Sequence, residues 1–284
     1  MNKKINKILK YKNKRKIICL TSYSKNISEI IDPFTDIVLV GDSLGSVLYN
    51  YKSTRSVSLK TMIEHSKSAR QGIKKSLMVV DMPYNTYRNK NEALKNAKKI
   101  IKETKCDAVK LEGGLKILKI VKHLKKNKIL VMGHLGILPQ SVIGKFKYKG
   151  KKTRERKKIL NEAILLQKEG VFSIVLECIE TSLAKEISKS LHIPTIGIGS
   201  SKNCDGQVLV TDDLIGLNQT KIRFVKRFGN IKADIRNSIS KFRKEVLHKK
   251  FPSKNTPWQN QAWQREFIFS GIEKDNENDY IMFS

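Results

Sequence analysis

Eight short apolar runs, most of them separated by a segment of helical period, constrain this chain more than any other feature of its 284 residues. The runs predict strands at Ile17 to Thr21, Asp36 to Val40, Leu77 to Val80, Ala108 to Leu111, Ile129 to Met132, Ser173 to Leu176, Thr195 to Ile198 and Val208 to Thr211. Helices are expected between most of them: Leu59 to Gln71 behind a Ser58 cap, Asn91 to Glu103, Leu115 to Lys125, Glu155 to Glu169, and Leu183 to Ser190 behind Ser182. Strands that alternate with helices pair in parallel, and eight such units imply a closed α/β barrel of the (β/α)8 TIM type. One joint is weak, because Gly199 to Gln207 is too short for an ordinary crossover helix. An open, doubly wound sheet is therefore the competing arrangement.

A long closing helix is expected at Ile231 to His248, with Ile235, Ile239 and Phe242 on one face. No linker or internal repeat divides the chain, so residues 1–250 are expected to form a single barrel domain. The last stretch, Phe251 to Ser284, changes character: it holds both tryptophans, Trp258 and Trp263, and many Asn and Gln. It is expected to be a C-terminal extension, of unassigned role, packed on the barrel or on a neighbouring subunit.

Charge is unusual, with 57 Lys plus Arg against 26 Asp plus Glu and a formal net charge of +31. A polyanion partner would explain such an excess through counterion release. However, Lys far outnumbers Arg and is spread over every expected helix, and no zinc-finger spacing, aromatic RNA-binding pattern or basic heptad array accompanies it. The charge reads as a solvated coat, and no specific nucleic-acid partner is expected. The cysteines Cys19, Cys106, Cys178 and Cys204 lie far apart, which suits a reducing cytoplasm. No apolar stretch approaches membrane-spanning length, and the run after the basic N-terminus is too short for an export signal.

Barrel enzymes carry their reacting groups at strand C-terminal ends. Five ends here bear titratable residues: Asp42, Asp81, Lys110 with Glu112, His134, and Glu177. Taken singly, most have an unremarkable explanation: Asp42 and Asp81 as turn formers, Glu112 as a loop acid, Lys110 as a snorkelling lysine, His134 as a buried hydrogen-bonded histidine. Turn chemistry alone would scatter such residues to both ends of the strands, yet all fall on one rim. Glu177, directly after Ile174-Val175-Leu176, is expected in a desolvated place that suits a general base. With no nucleophilic Cys or Ser in a triad-like setting, the acids suggest oxygen ligands for a hard divalent cation; Asp42 and Asp81 with waters would suit magnesium. His134 has no partner ligand at zinc spacing. A cation chelated by a 2-oxo acid would acidify the adjacent carbon, so metal-assisted enolate chemistry is the reading the residues reach.

At the same positions the chain resembles the ketopantoate hydroxymethyltransferase family, within the phosphoenolpyruvate/pyruvate-type barrels. The matching segments are Val40-Gly41-Asp42-Ser43-Leu44-Gly45, Ser53-Thr54 with His65, Asp81-Met82-Pro83-Tyr84, and Val109-Lys110-Leu111-Glu112-Gly113-Gly114. They continue through Gly133-His134-Leu135-Gly136 with Pro139-Gln140-Ser141, then Leu176-Glu177-Cys178, and Ile193-Pro194 to Asp205-Gly206-Gln207. The resemblance implies Mg2+ on Asp42 and Asp81 with Glu112 close by, and a 2-oxo acid held by Asp42, Ser43, Asp81 and Lys110. It makes Glu177 the proton acceptor and His134 a hydrogen-bonding partner. The implied reaction runs through a magnesium-stabilised enolate of 3-methyl-2-oxobutanoate, with 5,10-methylenetetrahydrofolate as cosubstrate and 2-dehydropantoate, a pantothenate precursor, as product. Family members are usually cytoplasmic homo-oligomers, often decamers. The chain departs from the family's pattern at Ser24, commonly Asp, and at Asn50-Tyr51-Lys52, commonly Gly-His-Asp, and its loop Ile143 to Lys152 is unusually rich in lysine. A carbon–carbon lyase of the same barrel type, which would need no folate, is the alternative within the enzyme class; a nucleic-acid-binding barrel would have lost the rim acids.

Overall fold

The computed structural model describes residues 3–141, 148–218 and 222–253. Eight parallel strands close into a barrel in sequence order: β1 (Ile17–Thr21), β2 (Ile37–Val40), β3 (Leu77–Asp81), β4 (Ala108–Glu112), β5 (Val131–Gly136), β6 (Ser173–Glu177), β7 (Thr195–Ile198) and β8 (Gly206–Leu209). The barrel closes through β8 against β1, with Ile17 opposite Gly206 and Leu20 opposite Leu209. The weak joint does not open it. The segment between β7 and β8 forms turns without a helix, and β8 still lies parallel to β7, pairing Ile196 with Gly206 and Gly197 with Gln207.

Period-2 alternation sorts each strand between two cores. Ile17, Cys19, Ile37, Leu39, Leu77, Val79, Ala108, Met132 and Val175 fill the barrel interior, whereas Val38, Val40, Met78, Val80, Val109, Leu111 and Leu176 meet the surrounding helices. Those helices are α1 (Lys3–Lys10), α2 (Lys25–Ile31), α3 (Leu44–Tyr49), α4 (Leu59–Gly72), α5 (Lys90–Thr104), α6 (Leu118–Lys126), α7 (Thr153–Glu169), α8 (Thr181–Ser190) and α9 (Thr211–Leu214). The lysine-rich α1 had no counterpart among the expected helices. Its Ile5 and Ile8 are fully buried and pack with the strand-start residues Ile17, Ile37 and Leu77, so the basic N-terminus is an amphipathic part of the interior core.

Several boundaries differ from the expected ones, and at β5, β8 and α8 the reason is visible. The N–H of Ile129 is spent on the carbonyl of Leu124 at the end of α6, so β5 begins later, at Val131. It then runs on through Gly136, which puts His134 inside the strand rather than beyond it. Gly136, at φ +102°, passes so close to the Glu177 carbonyl that a Cβ there would sit 2.0 Å from that oxygen. β8 begins at Gly206, where the backbone presses against the Ile17 carbonyl, and ends two residues before the expected Thr211. Finally, α8 is capped by Glu180 rather than Ser182: its carboxylate accepts from the N–H groups of Ser182 and Leu183 and pairs with Arg156.

The chain divides into two compact units, Met1–Asn230 and Ile231–Ser284, earlier than the expected boundary at 250. In the second unit α10 (Ile231–Leu247) buries none of its residues. The lysine-rich part of the loop at 142–147, and the tail from 254 onward with its two tryptophans, lie outside the described residues.

Candidate active site

All the acids, the lysine and the histidine singled out in the sequence line one cavity of about 490 Å3 at the C-terminal end of the barrel. Strand parity explains the convergence. Leu77, Val79 and Asp81 alternate onto the inner face of β3, as do Ala108, Lys110 and Glu112 on β4, Met132 and His134 on β5, and Val175 and Glu177 on β6. Register then sets neighbours: Asp81 lies opposite Lys110, and Glu112 opposite His134.

Lys110 Nζ stands 3.0 Å from Asp81 Oδ1, an ion pair buried on both sides. The N–H of Asp42 donates to Asp81 Oδ2 at 3.1 Å, which draws the loop after β2 over β3. Burial pushes the carboxyls of Asp42 and Asp81 above the usual range. At Asp42, repulsion from Asp81 and Glu112 adds to that push, against Lys110 and the Gln140 amide. Burial would lower the Lys110 ammonium, but the three carboxylates around it raise it instead. Glu112 is lowered: burial pushes it up, but His134, Lys110 and the N–H of Gln140 together outweigh burial.

His134 sits between two carboxylates, with Nδ1 3.4 Å from Glu112 Oε1 and Nε2 3.2 Å from Glu177 Oε2, neither aligned as a good hydrogen bond. Burial and the Lys110 charge, 3.4 Å from Nδ1, both lower its pKa, yet the two carboxylates win and carry it to about 9. The expectation of a desolvated Glu177 needs correction: its side chain is 20% exposed and stands beside His134 Nε2. Ser43 faces the cavity with its hydroxyl 2.8 Å from that of Tyr23. Tyr23 in turn gives its carbonyl to Nδ1 of His65, whose Nε2 meets Tyr49.

The residue that organises the acids, Gln140, carries no charge and was not given a role from the sequence. Its Nε2 donates to Asp42 Oδ2 at 2.7 Å and to the Met82 carbonyl at 3.0 Å, its backbone N–H donates to Glu112 Oε2, and its Oε1 accepts from Tyr87. Nothing short of the fold reveals such a role in a neutral side chain. Asp213 was legible and was overlooked: it lies two residues beyond the eighth apolar run, on α9, and it lines the same cavity.

Among the described residues, no three His, Cys, Asp or Glu side chains form a ready-made metal cage. Asp42 and Asp81 provide adjacent carboxylates whose mutual repulsion a cation would relieve, while Glu112 Oε2 is engaged by the N–H of Gln140 and its Oε1 has no aligned hydrogen-bond donor. That donor set fits magnesium, which takes one or two protein carboxylates and retains several waters, better than it fits an all-protein cage.

Known proteins share both fold and sequence with this chain. The solved structure of 2,3-dimethylmalate lyase, a PEP mutase/isocitrate lyase superfamily member, superposes with a TM-score of 0.61 at 10% identity, over 97% of this chain and 98% of that one. A phosphonopyruvate hydrolase solved with oxalate and Mg2+ gives 0.57 at 9% identity, over 93% and 97%. At such identities these matches establish the barrel type alone. Sequence carries more. A 3-methyl-2-oxobutanoate hydroxymethyltransferase of Pelagibacter ubique (strain HTCC1062) is 66% identical over 254 residues, 89% of this chain and 98% of that protein. The enzyme of the same name from Rhizobium etli is 42% identical over 246 residues, 85% and 90% of the two chains. The family profile described as ketopantoate hydroxymethyltransferase spans residues 2–254, which takes in the whole rim; the chain is a transferase and belongs to the ketopantoate hydroxymethyltransferase family.

Proposed function

We propose that this chain moves a one-carbon unit from 5,10-methylenetetrahydrofolate to 3-methyl-2-oxobutanoate, giving 2-dehydropantoate on the route to pantothenate. In this reading Mg2+ is held by Asp42 and Asp81 with Glu112 close to it. The observation that carries the reading is the meeting, in one cavity, of two adjacent carboxylates, a buried lysine and a histidine-paired glutamate.

Bound magnesium would supply Lewis-acid polarisation of the keto group and so acidify the C3 proton. Lys110 and Ser43 hold the 2-oxo acid, Lys110 meeting its carboxylate. Glu177 takes the proton from C3, and His134, 3.2 Å from its carboxylate, orients it toward the substrate. C3 then bonds to the methylene carbon. That carbon gains its hydroxyl from water, and the two folate nitrogens that held it end as N–H, one with the proton removed from C3 and one with the proton left by water.

Two further parts of the proposal have separate support. The four cysteines are free and buried, as suits a reducing cytoplasm, and no helix among the described residues is long and apolar enough to cross a membrane. Homo-oligomerisation is supported by exposed Ile235, Ile239, Phe242 and Val246 on α10, an apolar stripe suited to a second copy, while a decamer is what the family resemblance implies.

The test is direct. The protein is incubated with both substrates, with Mg2+ or with EDTA, and 2-dehydropantoate is measured by mass spectrometry. Formation that requires both folate and the cation is expected. Turnover of a 2-oxo or hydroxy acid without folate would replace the reading with the lyase alternative.

A further inference from the structure

The cavity is divided. Its charged side chains, Asp42, Asp81, Lys110, Glu112, His134 and Glu177, come from the arc of β2 to β6. The opposite arc, β7, β8 and β1, presents Ile198, Val208, Leu209, Val210 and Thr21, and the segment after α9 adds Ile222, Phe224 and Val225. A single acid, Asp213, interrupts this apolar half. It is 7% exposed, and a carboxylate can accept about four hydrogen bonds. Its side-chain hydrogen-bond partner is Asn218, and the charge of Arg227 also acts on it.

A volume of 490 Å3 falls in the roughly 300–1,000 Å3 range that encloses drug-sized ligands, more than a five-carbon acid occupies. The charged arc suits the carboxylate and keto oxygens of such an acid. C3 must then lie at Glu177, on the border of the apolar arc, and the methylene donor must arrive from that side.

We infer that the apolar arc is the seat of the folate pteridine, with Phe224 and Val225 against its face and the Asp213 carboxylate accepting from its adjacent N3–H and 2-amino donors. This assignment rests on the proposed folate-dependent reaction and adds the residues that recognise the cosubstrate. The chemistry is specific: two N–H donors side by side match the two oxygens of a carboxylate, and burial makes an unmatched pairing costly.

The test uses the full chain with Mg2+. Asp213→Asn keeps the shape but offers one acceptor in place of two, and should raise KM for methylenetetrahydrofolate at least tenfold while KM for the oxo acid moves less than twofold. A ligand-side measurement does not depend on the variant folding: wild-type protein should bind tetrahydrofolate at least tenfold more tightly, by calorimetry, than its 2-desamino analogue. Equal binding of the two folates, or an Asp213→Asn protein with wild-type folate KM, would overturn the assignment, as would an equal rise in both KM values. Wild-type protein that forms no 2-dehydropantoate yet discriminates between the two folates would instead sink the proposed reaction and leave the pteridine seat standing.

Discussion

His134 Nε2 and Glu177 Oε2 lie 3.2 Å apart at the ends of adjoining strands, and the carboxylates beside His134 raise its imidazole pKa. A histidine whose pKa is raised by its carboxylate neighbours is the poorer first base, which leaves the proton to Glu177, the member of the pair that opens to the cavity.

This ordering predicts how proton exchange divides. In heavy water, with Mg2+ and no folate, wild-type protein should exchange the C3 proton of 3-methyl-2-oxobutanoate. Glu177→Gln should slow exchange by roughly 10²- to 10⁴-fold while oxo acid binding persists. Exchange near the wild-type rate in that variant would remove Glu177 from its role.

The two proposed metal carboxylates should respond differently to truncation. Asp42→Ala removes a carboxylate raised by burial and by its acidic neighbours and should fold normally while losing Mg2+-dependent oxo acid binding. Asp81→Ala also strands the buried Lys110 ammonium, at a cost of about 3–5 kcal/mol. Denaturant unfolding would check the difference, and equal stability of the two variants would show that the Lys110–Asp81 pair does not hold the rim.

Gln140→Leu keeps the bulk of the side chain but removes the amide from Asp42, Met82 and Tyr87. Groups that orient metal-binding carboxylates are typically worth 10- to 100-fold in affinity, and a loss of about that size in Mg2+-dependent oxo acid binding is expected. Wild-type affinity in the Leu variant, measured by calorimetry, would reduce Gln140 to a packing residue.

Glu180 gives a pH-dependent stability test away from the cavity. Hydrogen bonds from Ser182 and Leu183, with Arg156 adding to them, depress its folded pKa to about 2. A depressed acid stabilises the fold above its unfolded pKa of about 4.3 and loses that contribution as pH falls through the folded value. Glu180→Ala should therefore cost about 1 kcal/mol at neutral pH, chiefly as a lost helix cap since the exposed Arg156 pair adds little, and the gap to wild type should shrink below pH 4. A gap independent of pH would assign the effect to helix propensity.

Apolar runs and their spacing determined the strand count, the parallel pairing and the closed barrel, because strands buried on both faces must be written as short apolar segments. Those runs also located Asp42, Asp81, Lys110, Glu112, His134 and Glu177 on one rim, since side chains two apart share a strand face and barrel chemistry sits at strand ends. Tertiary structure decided what each group has become. It spent the Ile129 N–H on a helix end and so delayed β5, while pairing with β4 and β6 kept His134 inside the strand; it placed that imidazole between two carboxylates, which raise its pKa; it set neutral Gln140 across Asp42 and Glu112; and it left Asp213 as the lone acid of an apolar arc. Protonation state and hydrogen-bond partnership depend on neighbours brought together from distant parts of the chain, such as Asp42 and Gln140, and no local pattern in the sequence carries that information.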